Sequence, residues 1–250
     1  MCLILLAIDI IPERPWLLLG NRDEFHARAT APAAAWSDQP DVVGGRDLVA
    51  GGSWLALNRN GRFAAVTNVR TGRMGPGARS RGELVGGYVA GSTSADEYVA
   101  AVASRRTEYG PFNLVVGSAQ QAAFVSSIDG QPRRLERGVH AFSNGSLADE
   151  WPKMRRLRQG LEAMQQSGNW EDAAFLELLA DTNQPADLDL PDTGVGLALE
   201  RTLAPIFIRG ENYGTRASTL AYAHAAGGMV LYERRFGPGG AANGETRLVL

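Results

Sequence analysis

Cys2 is the residue with the sharpest chemical implication, because it directly follows Met1. Aminopeptidases normally remove a methionine that precedes a small residue, and Cys2 would then carry both a thiol and a free α-amine. An α-amine has a pKa of about 8, so part of it is neutral at neutral pH and can act as general base for its own side chain. The alternative interpretation is a small buried hydrophobic residue on a strand.

A run of polar residues, Gly20-Asn-Arg-Asp-Glu-Phe25, follows the apolar stretch over residues 16–19. That stretch and the apolar residues 3–8 flank a turn that contains prolines. The pattern predicts a β-hairpin, with the polar run at the start of a loop.

The predicted hairpin would bring Arg22 near Cys2, where a guanidinium can stabilise a thiolate. Asp23 or Glu24 can hold the α-amine by a charge-assisted hydrogen bond. The alternative is a surface cluster of ion pairs, which contributes little to stability.

Apolar periodicity and turn residues predict the elements that must position these groups. The predicted helices cover residues 82–91, 96–106, 152–167 and 170–180. The predicted strands cover residues 3–8, 16–19, 53–57, 62–67, 112–117, 122–128, 134–135, 139–142, 206–208, 217–223, 229–236 and 246–250. No βαβ repeat occurs, so two antiparallel sheets covered by helices are favoured over a parallel doubly wound sheet. Without a linker or repeat, residues 1–250 are expected to form one domain.

Composition excludes several classes of protein. The 250 residues are 44% hydrophobic and 21% charged, which is typical of a globular chain. A net charge of −2 gives no electrostatic case for nucleic-acid binding. No apolar run reaches the roughly 20 residues that cross a bilayer, and the N-terminal run lacks a basic start and a cleavage site. We therefore expect a cytoplasmic protein with no transmembrane segment. With one cysteine and three histidines, no metal site is expected.

The order of several short motifs resembles the NRDE family, also called the transport and Golgi organisation 2 family. The resemblance begins with Met1-Cys2 and Asn21-Arg22-Asp23-Glu24. It continues through Gly51-Gly52-Ser53-Trp54-Leu55, Ala65-Val66-Thr67-Asn68-Val69-Arg70, Ser80-Arg81-Gly82, Phe112-Asn113-Leu114, Phe142-Ser143-Asn144, Trp151-Pro152-Lys153 and Tyr213-Gly214-Thr215-Arg216-Ala217-Ser218. This family is similar to the N-terminal nucleophile (Ntn) hydrolases. The implied fold is α+β, a four-layer αββα sandwich of two antiparallel sheets flanked by helices.

The related cysteine amidases, which cleave penicillin V and bile-salt conjugates, begin with a cysteine. They place an arginine and an aspartate at the end of the second strand, and Arg22 and Asp23 are similar in place. The spacing differs, so the resemblance leaves open whether Asp23 or Glu24 holds the α-amine. Asn21 and Glu24 are also candidates for substrate binding.

Three later residues complete the implied site. Asn144 is similar to an asparagine that donates to the oxyanion in those amidases, a contact that can contribute about 3 kcal/mol. The alternative for Asn144 is a plain turn with Gly145. Arg216 is similar to a late arginine near the nucleophile, and its alternative is a solvent-facing arginine on an edge strand. Asn68 is a candidate for substrate or oxyanion contact.

Two other features have less specific interpretations. Lys153, Arg155, Arg156 and Arg158 form a basic helix face that we interpret as solvated. Residues 72–81 lack a phosphate-loop pattern and are a candidate for a flexible lid over the site.

The residues together predict an Ntn-type cysteine hydrolase that cleaves a linear, non-peptide amide (C–N) bond of a small molecule through a Cys2 acyl-enzyme. The alternative is a non-catalytic haem or lipid/acyl-CoA binding and trafficking protein on the same fold. Haem would require an axial ligand, which Cys2 or a histidine can supply. No cofactor is expected for the hydrolase, and the sequence leaves the oligomeric state open.

Overall fold

The computed structural model describes residues 2–70, 75 and 77–250. The strands, in chain order, are β1 (Cys2–Ile11), β2 (Arg14–Phe25), β3 (Thr30–Trp36), β4 (Gln39–Asp47), β5 (Leu55–Asn58), β6 (Arg62–Asn68), β7 (Phe112–Gly117), β8 (Ala122–Ser126), β9 (Arg133–Leu135), β10 (Gly138–Phe142), β11 (Tyr213–Ala223), β12 (Met229–Phe236) and β13 (Ala242–Val249). The helices are α1 (Gly82–Val89), α2 (Ala95–Ser104), α3 (Pro152–Ser167), α4 (Asp172–Leu178) and α5 (Leu197–Leu203).

These strands form two antiparallel sheets. The six-stranded sheet has the order β10-β1-β2-β11-β12-β13, and the seven-stranded sheet has the order β3-β4-β5-β6-β7-β8-β9. The first hairpin therefore lies inside the six-stranded sheet, with β2 between β1 and β11. No helix in the described residues is long and apolar enough to span a membrane.

Side-chain alternation along β1 explains why the sheets stack in layers. Leu3 and Leu5 pack in one core with α3 and α4, whereas Ile4 and Leu6 pack in a second core with the seven-stranded sheet. Because successive residues of a strand point to opposite faces, an unbroken apolar strand buries both faces. A third core joins the seven-stranded sheet to α1 and α2. The result is the predicted four-layer αββα arrangement.

Local signals in the sequence set several element ends. Ser94 and Glu97 form a capping box at the start of α2. Pro152 occupies the first turn of α3, and Gly168 ends that helix in the left-handed conformation. Gly61 adopts a positive φ of 89° in the turn between β5 and β6.

Several sequence expectations are corrected by the structure. The polar run at residues 20–25 continues β2 instead of starting a loop, since β11 pairs along the whole run and β1 pairs with residues 20–22. Residues 206–208 are buried but form no strand. The sequence does not predict the strands β3 and β4, because Ala, Pro and Gly give them weak strand propensity. It also does not predict α5, whose seven residues favour a helix but are too few for a clear periodicity. Of the predicted lid, residues 72–74 and 76 lie outside the described residues, as does Met1.

The core between the sheets can be tested at Leu6, which is fully buried there. Replacing Leu6 by Ala removes buried methyl groups and leaves a cavity, so we expect the free energy of unfolding to fall by about 2–5 kcal/mol. Urea denaturation measures it. The control is Leu188→Ala, since that side chain is 88% exposed. Equal effects in the two variants would contradict the two-sheet core.

Candidate active site

Cys2 is the first described residue of β1 and lies opposite Arg22 of β2 in the antiparallel register. By the alternation of the strand, its side chain points to the same face as Ile4 and Leu6. On that face it borders a cavity of about 580 Å³ at the end of the sheets. The thiol itself is nearly closed off, with the residue 6% exposed.

Two of the candidate site residues, Arg22 and Arg216, border the cavity. Arg22 is buried, and its Nη2 lies 4.0 Å from Oε2 of Glu24, two residues along the same strand face. Arg216 occupies an irregularity in β11, since Thr215 pairs with Asp23 and Ala217 already pairs with Arg22. Arg216 is thus an extra residue without a cross-strand partner in β2. Its guanidinium donates to the backbone carbonyls of Phe25 and Arg28.

The thiol of Cys2 is held in its neutral form. Burial raises its pKa above the ordinary value, and the Arg22 guanidinium opposes that rise without offsetting it. Arg22 therefore favours the thiolate without keeping Cys2 ionised by itself. A neutral thiol is a weak nucleophile, so attack requires a base.

Asp23 points to the other face of the sheet, toward α3. Its Oδ1 accepts a hydrogen bond from Thr215 Oγ1 at 2.7 Å, and its backbone carbonyl accepts one from the Tyr213 hydroxyl at 3.1 Å. Burial raises the pKa of the Asp23 carboxyl, and Lys153 is the strongest of the influences that lower it. The two candidate carboxylates thus differ in environment: both residues border the cavity, but Asp23 is buried and bonded to Thr215, whereas the side chain of Glu24 is 23% exposed.

Lys153 corrects the expectation of a solvated basic face. It is 3% exposed, and its Nζ donates to the Leu203 carbonyl at 3.3 Å. Burial lowers the pKa of the Lys153 ammonium to about 8, against the opposing pull of Asp23. A signal was present in the sequence, because Lys153 precedes the buried Leu157 by four residues and so belongs to the apolar stripe of α3.

The segment around Asn144 is tied to the start of β1. Ser143 Oγ donates to the Cys2 carbonyl at 2.8 Å, and Asn144 Nδ2 donates to the Asn68 carbonyl at 2.8 Å. Asn113 holds the same turn through a 2.7 Å bond to the Gly145 carbonyl. Asn68 lines the cavity, whereas Asn144 lies buried behind it.

Asn21 lies away from the cavity, on the face that packs against the helices. Its Nδ2 donates to the carbonyls of Leu179 and Ile206, both at 2.8 Å. Its Oδ1 accepts from Ser218 Oγ at 2.6 Å. These bonds use the amide fully in holding the segment that covers β2, so the structure does not bring Asn21 together with the other predicted substrate contacts.

Arg81 is a cavity residue to which the sequence analysis gave no role. A side-chain carbon added at Gly52 would lie 2.5 Å from the Gly82 backbone. Only glycine permits this crossing, which joins two of the family-like motifs and carries Arg81 to the cavity. The two motifs, at residues 51–55 and 80–82, are visible in the sequence, but their spacing does not show that the two segments touch.

Arginines dominate the charge of the cavity wall, and most have carboxylate partners. Arg28 pairs with Asp47 at 2.7 Å, and Arg235 pairs with Glu233 at 3.1 Å. Among the described residues, neither Arg81 nor Arg216 has a carboxylate oxygen within 4.0 Å. The neighbourhood of Cys2 therefore carries an excess of positive charge, formed by Arg22, Arg81 and Arg216 against Glu24.

The histidines lie elsewhere. His26 contacts the Gly210 carbonyl, and His140 contacts the Glu136 carbonyl. Among the described residues that line the cavity there is no histidine. Over the described part of the chain, no cluster of three or more His, Cys, Asp or Glu side chains is arranged to hold a metal ion.

Comparison with known proteins shows clear relatives. A family model described as "Transport and Golgi organisation 2" matches residues 1–238. The chain is similar to the Transport and Golgi organization 2 homolog of Mus musculus, with 27% identity over 94% of this chain and 92% of the relative. It is 35% identical to Transport and Golgi organization protein 2 of Drosophila melanogaster, over 66% of this chain and 65% of the relative.

Solved structures share the fold. The mutant C2A of a conjugated bile acid hydrolase from Clostridium perfringens aligns with a TM-score of 0.56 and 11% identity, over 99% of this chain and 92% of that one. The Caenorhabditis elegans N-acylethanolamine-hydrolyzing acid amidase ortholog aligns with a TM-score of 0.51 and 10% identity, over 88% and 92%. The expected Ntn-hydrolase fold is therefore confirmed.

Asn21 provides a test of how β2 holds the backbone at Leu179 and Ile206, which packs over it. Asn21→Ala leaves the buried carbonyls of Leu179 and Ile206 without their donor, and we expect a loss of about 1–3 kcal/mol in the free energy of unfolding. Urea denaturation measures the loss. Asn60→Ala, at an exposed turn residue, is the control. A variant as stable as the wild type would mean that the amide does not hold this segment.

Proposed function

The chain belongs to the transport and Golgi organisation 2 family, and on that basis we propose that it is a cysteine hydrolase that cleaves a linear, non-peptide amide bond. The observation that carries the proposal is the position of Cys2. It lies at the start of the first strand, at the wall of a cavity, opposite Arg22 and next to Asp23. The two solved relatives are named as hydrolases of amide-type compounds, which supports the same class of reaction.

The proposed reaction has two steps. Cys2 Sγ attacks the carbonyl carbon, and the thiol proton passes to the Cys2 α-amine. The C–N bond then breaks as the α-amine gives the proton to the leaving nitrogen, and a thioester forms on Cys2. Water attacks the thioester with the α-amine as base, which releases a carboxylic acid and restores the thiol.

The electrostatics of the site support a need for this base. A buried thiol with a raised pKa is protonated at neutral pH and has to lose its proton as it attacks. Asp23 is the proposed anchor of the α-amine, because it lies on the strand next to Cys2 and in a dry environment, whereas Glu24 faces Arg22 in the cavity. The base exists only if Met1 is removed.

The oxyanion of the tetrahedral intermediate requires a donor. Asn144 is the proposed donor, since its turn is bound to the Cys2 backbone through Ser143. Asn68 is the proposed substrate contact, because it borders the cavity and its carbonyl fixes the Asn144 amide.

The substrate is proposed to carry one negative charge. Arg22, Arg81 and Arg216 face Glu24 at the cavity wall, so positive charge is in excess there, and passage of the thiol proton to the α-amine does not change that net charge. A carboxylate close to the scissile amide would offset part of this excess and can form charge-assisted bonds to guanidinium.

The arginines also favour a second candidate function, the binding of an anionic lipid, acyl-CoA or haem without turnover. Relatives named for transport and Golgi organisation fit this candidate. For haem, Cys2 is the residue at the cavity that can supply an axial ligand. Under either candidate, the expected location is the cytosol.

Cys2→Ala tests the mechanism. We expect the purified wild type to lack Met1 and to gain one acyl group from p-nitrophenyl acetate, and the variant to gain none while keeping its circular dichroism spectrum. Intact mass spectrometry measures both. An equal adduct on the variant, or retained Met1 with an unreactive Cys2, would reject the mechanism and leave the binding function.

Arg81→Gln tests the proposed substrate charge. We expect the wild type to prefer an N-acylglycine over the N-acylethanolamine with the same acyl chain, and the variant to lose about 10- to 100-fold in kcat/KM for the glycine compound alone. The control is Arg79→Gln, because Arg79 already pairs with Glu83 and Glu108. Equal losses for both compounds would contradict a carboxylate contact.

A further inference from the structure

We propose that Lys153 is a positioning residue for this reaction: its buried positive charge, on the helix side of the sheet to which Asp23 points, acts through space on Asp23 and on the Cys2 α-amine and keeps that amine uncharged. An uncharged amine can accept the thiol proton, whereas an ammonium cannot. The inference rests on the proposed function, since the amine exists only in a chain that has lost Met1.

The choice of residue type supports this role. Lys153 is the only lysine in the sequence, and the other positions among the 25 Lys and Arg residues are all arginine. A lysine ammonium is a compact point charge on a flexible stem, whereas a guanidinium is a wider planar group. A chain that otherwise uses arginine thus places its compact cation at a buried position on the helix side of the sheet, the side to which Asp23 points.

The hydrogen bond of Lys153 does not offset its positive charge, so a nearby carboxylate has to do so. An ammonium has three donors, and among the described residues Nζ donates only to the Leu203 carbonyl at 3.3 Å. A carbonyl does not neutralise a cation. Asp23 is the strongest acidic influence on Lys153, ahead of Glu200. Glu200 is already bound to Arg70 in a buried ion pair.

Strand register places the amine near the same carboxylate. Cys2 lies opposite Arg22, and the strands run antiparallel. The backbone nitrogen of Cys2 therefore lies on the side of the pair that leads toward Asp23. Thr215 donates to one Asp23 oxygen, which fixes the carboxylate in place.

The other charged and titratable groups around the amine come from five elements. They are Cys2 on β1, Arg22, Asp23 and Glu24 on β2, Arg70 after β6, Glu200 on α5 and Tyr213 on β11. Arg70 and Glu200 offset each other, and Arg22 lies near Glu24 on the same face of β2. Arg81 and Arg216 border the cavity on the side of the thiol. Burial keeps the Tyr213 hydroxyl protonated by raising its pKa. Lys153 and Asp23 are therefore the charges on the helix side of the sheet that bear most on the amine.

The sign of the effect follows directly. While Lys153 is charged, a protonated amine would be a second cation beside one carboxylate, so the amine releases its proton at a lower pH. Without Lys153 the amine becomes the counter-ion of Asp23 and keeps its proton to a higher pH. Removal of Lys153 should therefore move the reaction toward alkaline pH.

The test is the rate of Cys2 acylation by p-nitrophenyl acetate between about pH 5.5 and about pH 9.5, followed by intact mass. In Lys153→Met we expect the pH of half-maximal rate to rise by about 1 unit or more. Lys153→Arg keeps the charge and should restore the wild-type midpoint. Arg155→Met, on the exposed side of the same helix, should leave the midpoint unchanged.

A purely structural role makes a different prediction. It would lower the rate at every pH and leave the midpoint unmoved in Lys153→Met, and that result would overturn the proposal.

A second measurement decides the question if the Lys153 variants do not fold. Protein labelled with ¹³C-lysine gives one ε-methylene signal, because the chain has one lysine. We expect its titration midpoint to fall by about 1 unit or more in Asp23→Asn, since the carboxylate no longer holds the proton. An unmoved midpoint would overturn the proposed interaction of Lys153 with Asp23. If the wild-type Cys2 is not acylated at any pH, the proposed function fails, while this titration still tests that interaction.

Discussion

Four consecutive polar residues in the middle of a buried sheet are the constraint on which the rest of this structure depends. β2 lies between β1 and β11, with β1 paired up to residue 22 and β11 paired through residue 25, so residues 21–23 are buried and residue 24 is partly exposed. A buried polar group is costly unless it has a partner. Alternation sends residues 21 and 23 toward the helices, and residues 22 and 24 toward the cavity. Each neighbouring layer therefore has to supply carbonyls, hydroxyls or charges as well as apolar packing.

That division separates the two halves of the proposed chemistry. The thiol lies on the cavity face among arginines, where an anionic ligand would approach. The backbone nitrogen of the same residue lies toward Asp23, whose side chain is on the face of the sheet that packs against α3. The nucleophile and its base are thus parts of one residue in two environments, and each can be adjusted by side chains that do not touch the other.

Much of this arrangement could be predicted from the sequence. The first hairpin, the pairing of Cys2 with Arg22 and the layered fold follow from alternation, turn residues and motif order. The end of β2 was misplaced because four polar residues are typical of a loop, and only the flanking strands make them a strand. Lys153 was assigned to the surface because its arginine neighbours are on the surface. The role of Arg81 depends on a crossing of two glycine segments that are distant in the sequence.

The irregularity at Arg216 has a consequence for how this site can change in evolution. It shifts the phase of β11 by one residue, so that Thr215 faces Asp23 while Ala217 faces the cavity. Arg216 is the extra residue, so its deletion would make the strand regular and leave Thr215 facing Asp23 and Ala217 facing the cavity. The pairing from Leu220 onward would also keep its register. A single codon lost at this point would therefore remove one positive charge from the wall of the pocket while the side chains on either side of it keep their faces, so the charge of the pocket can change in evolution independently of the core.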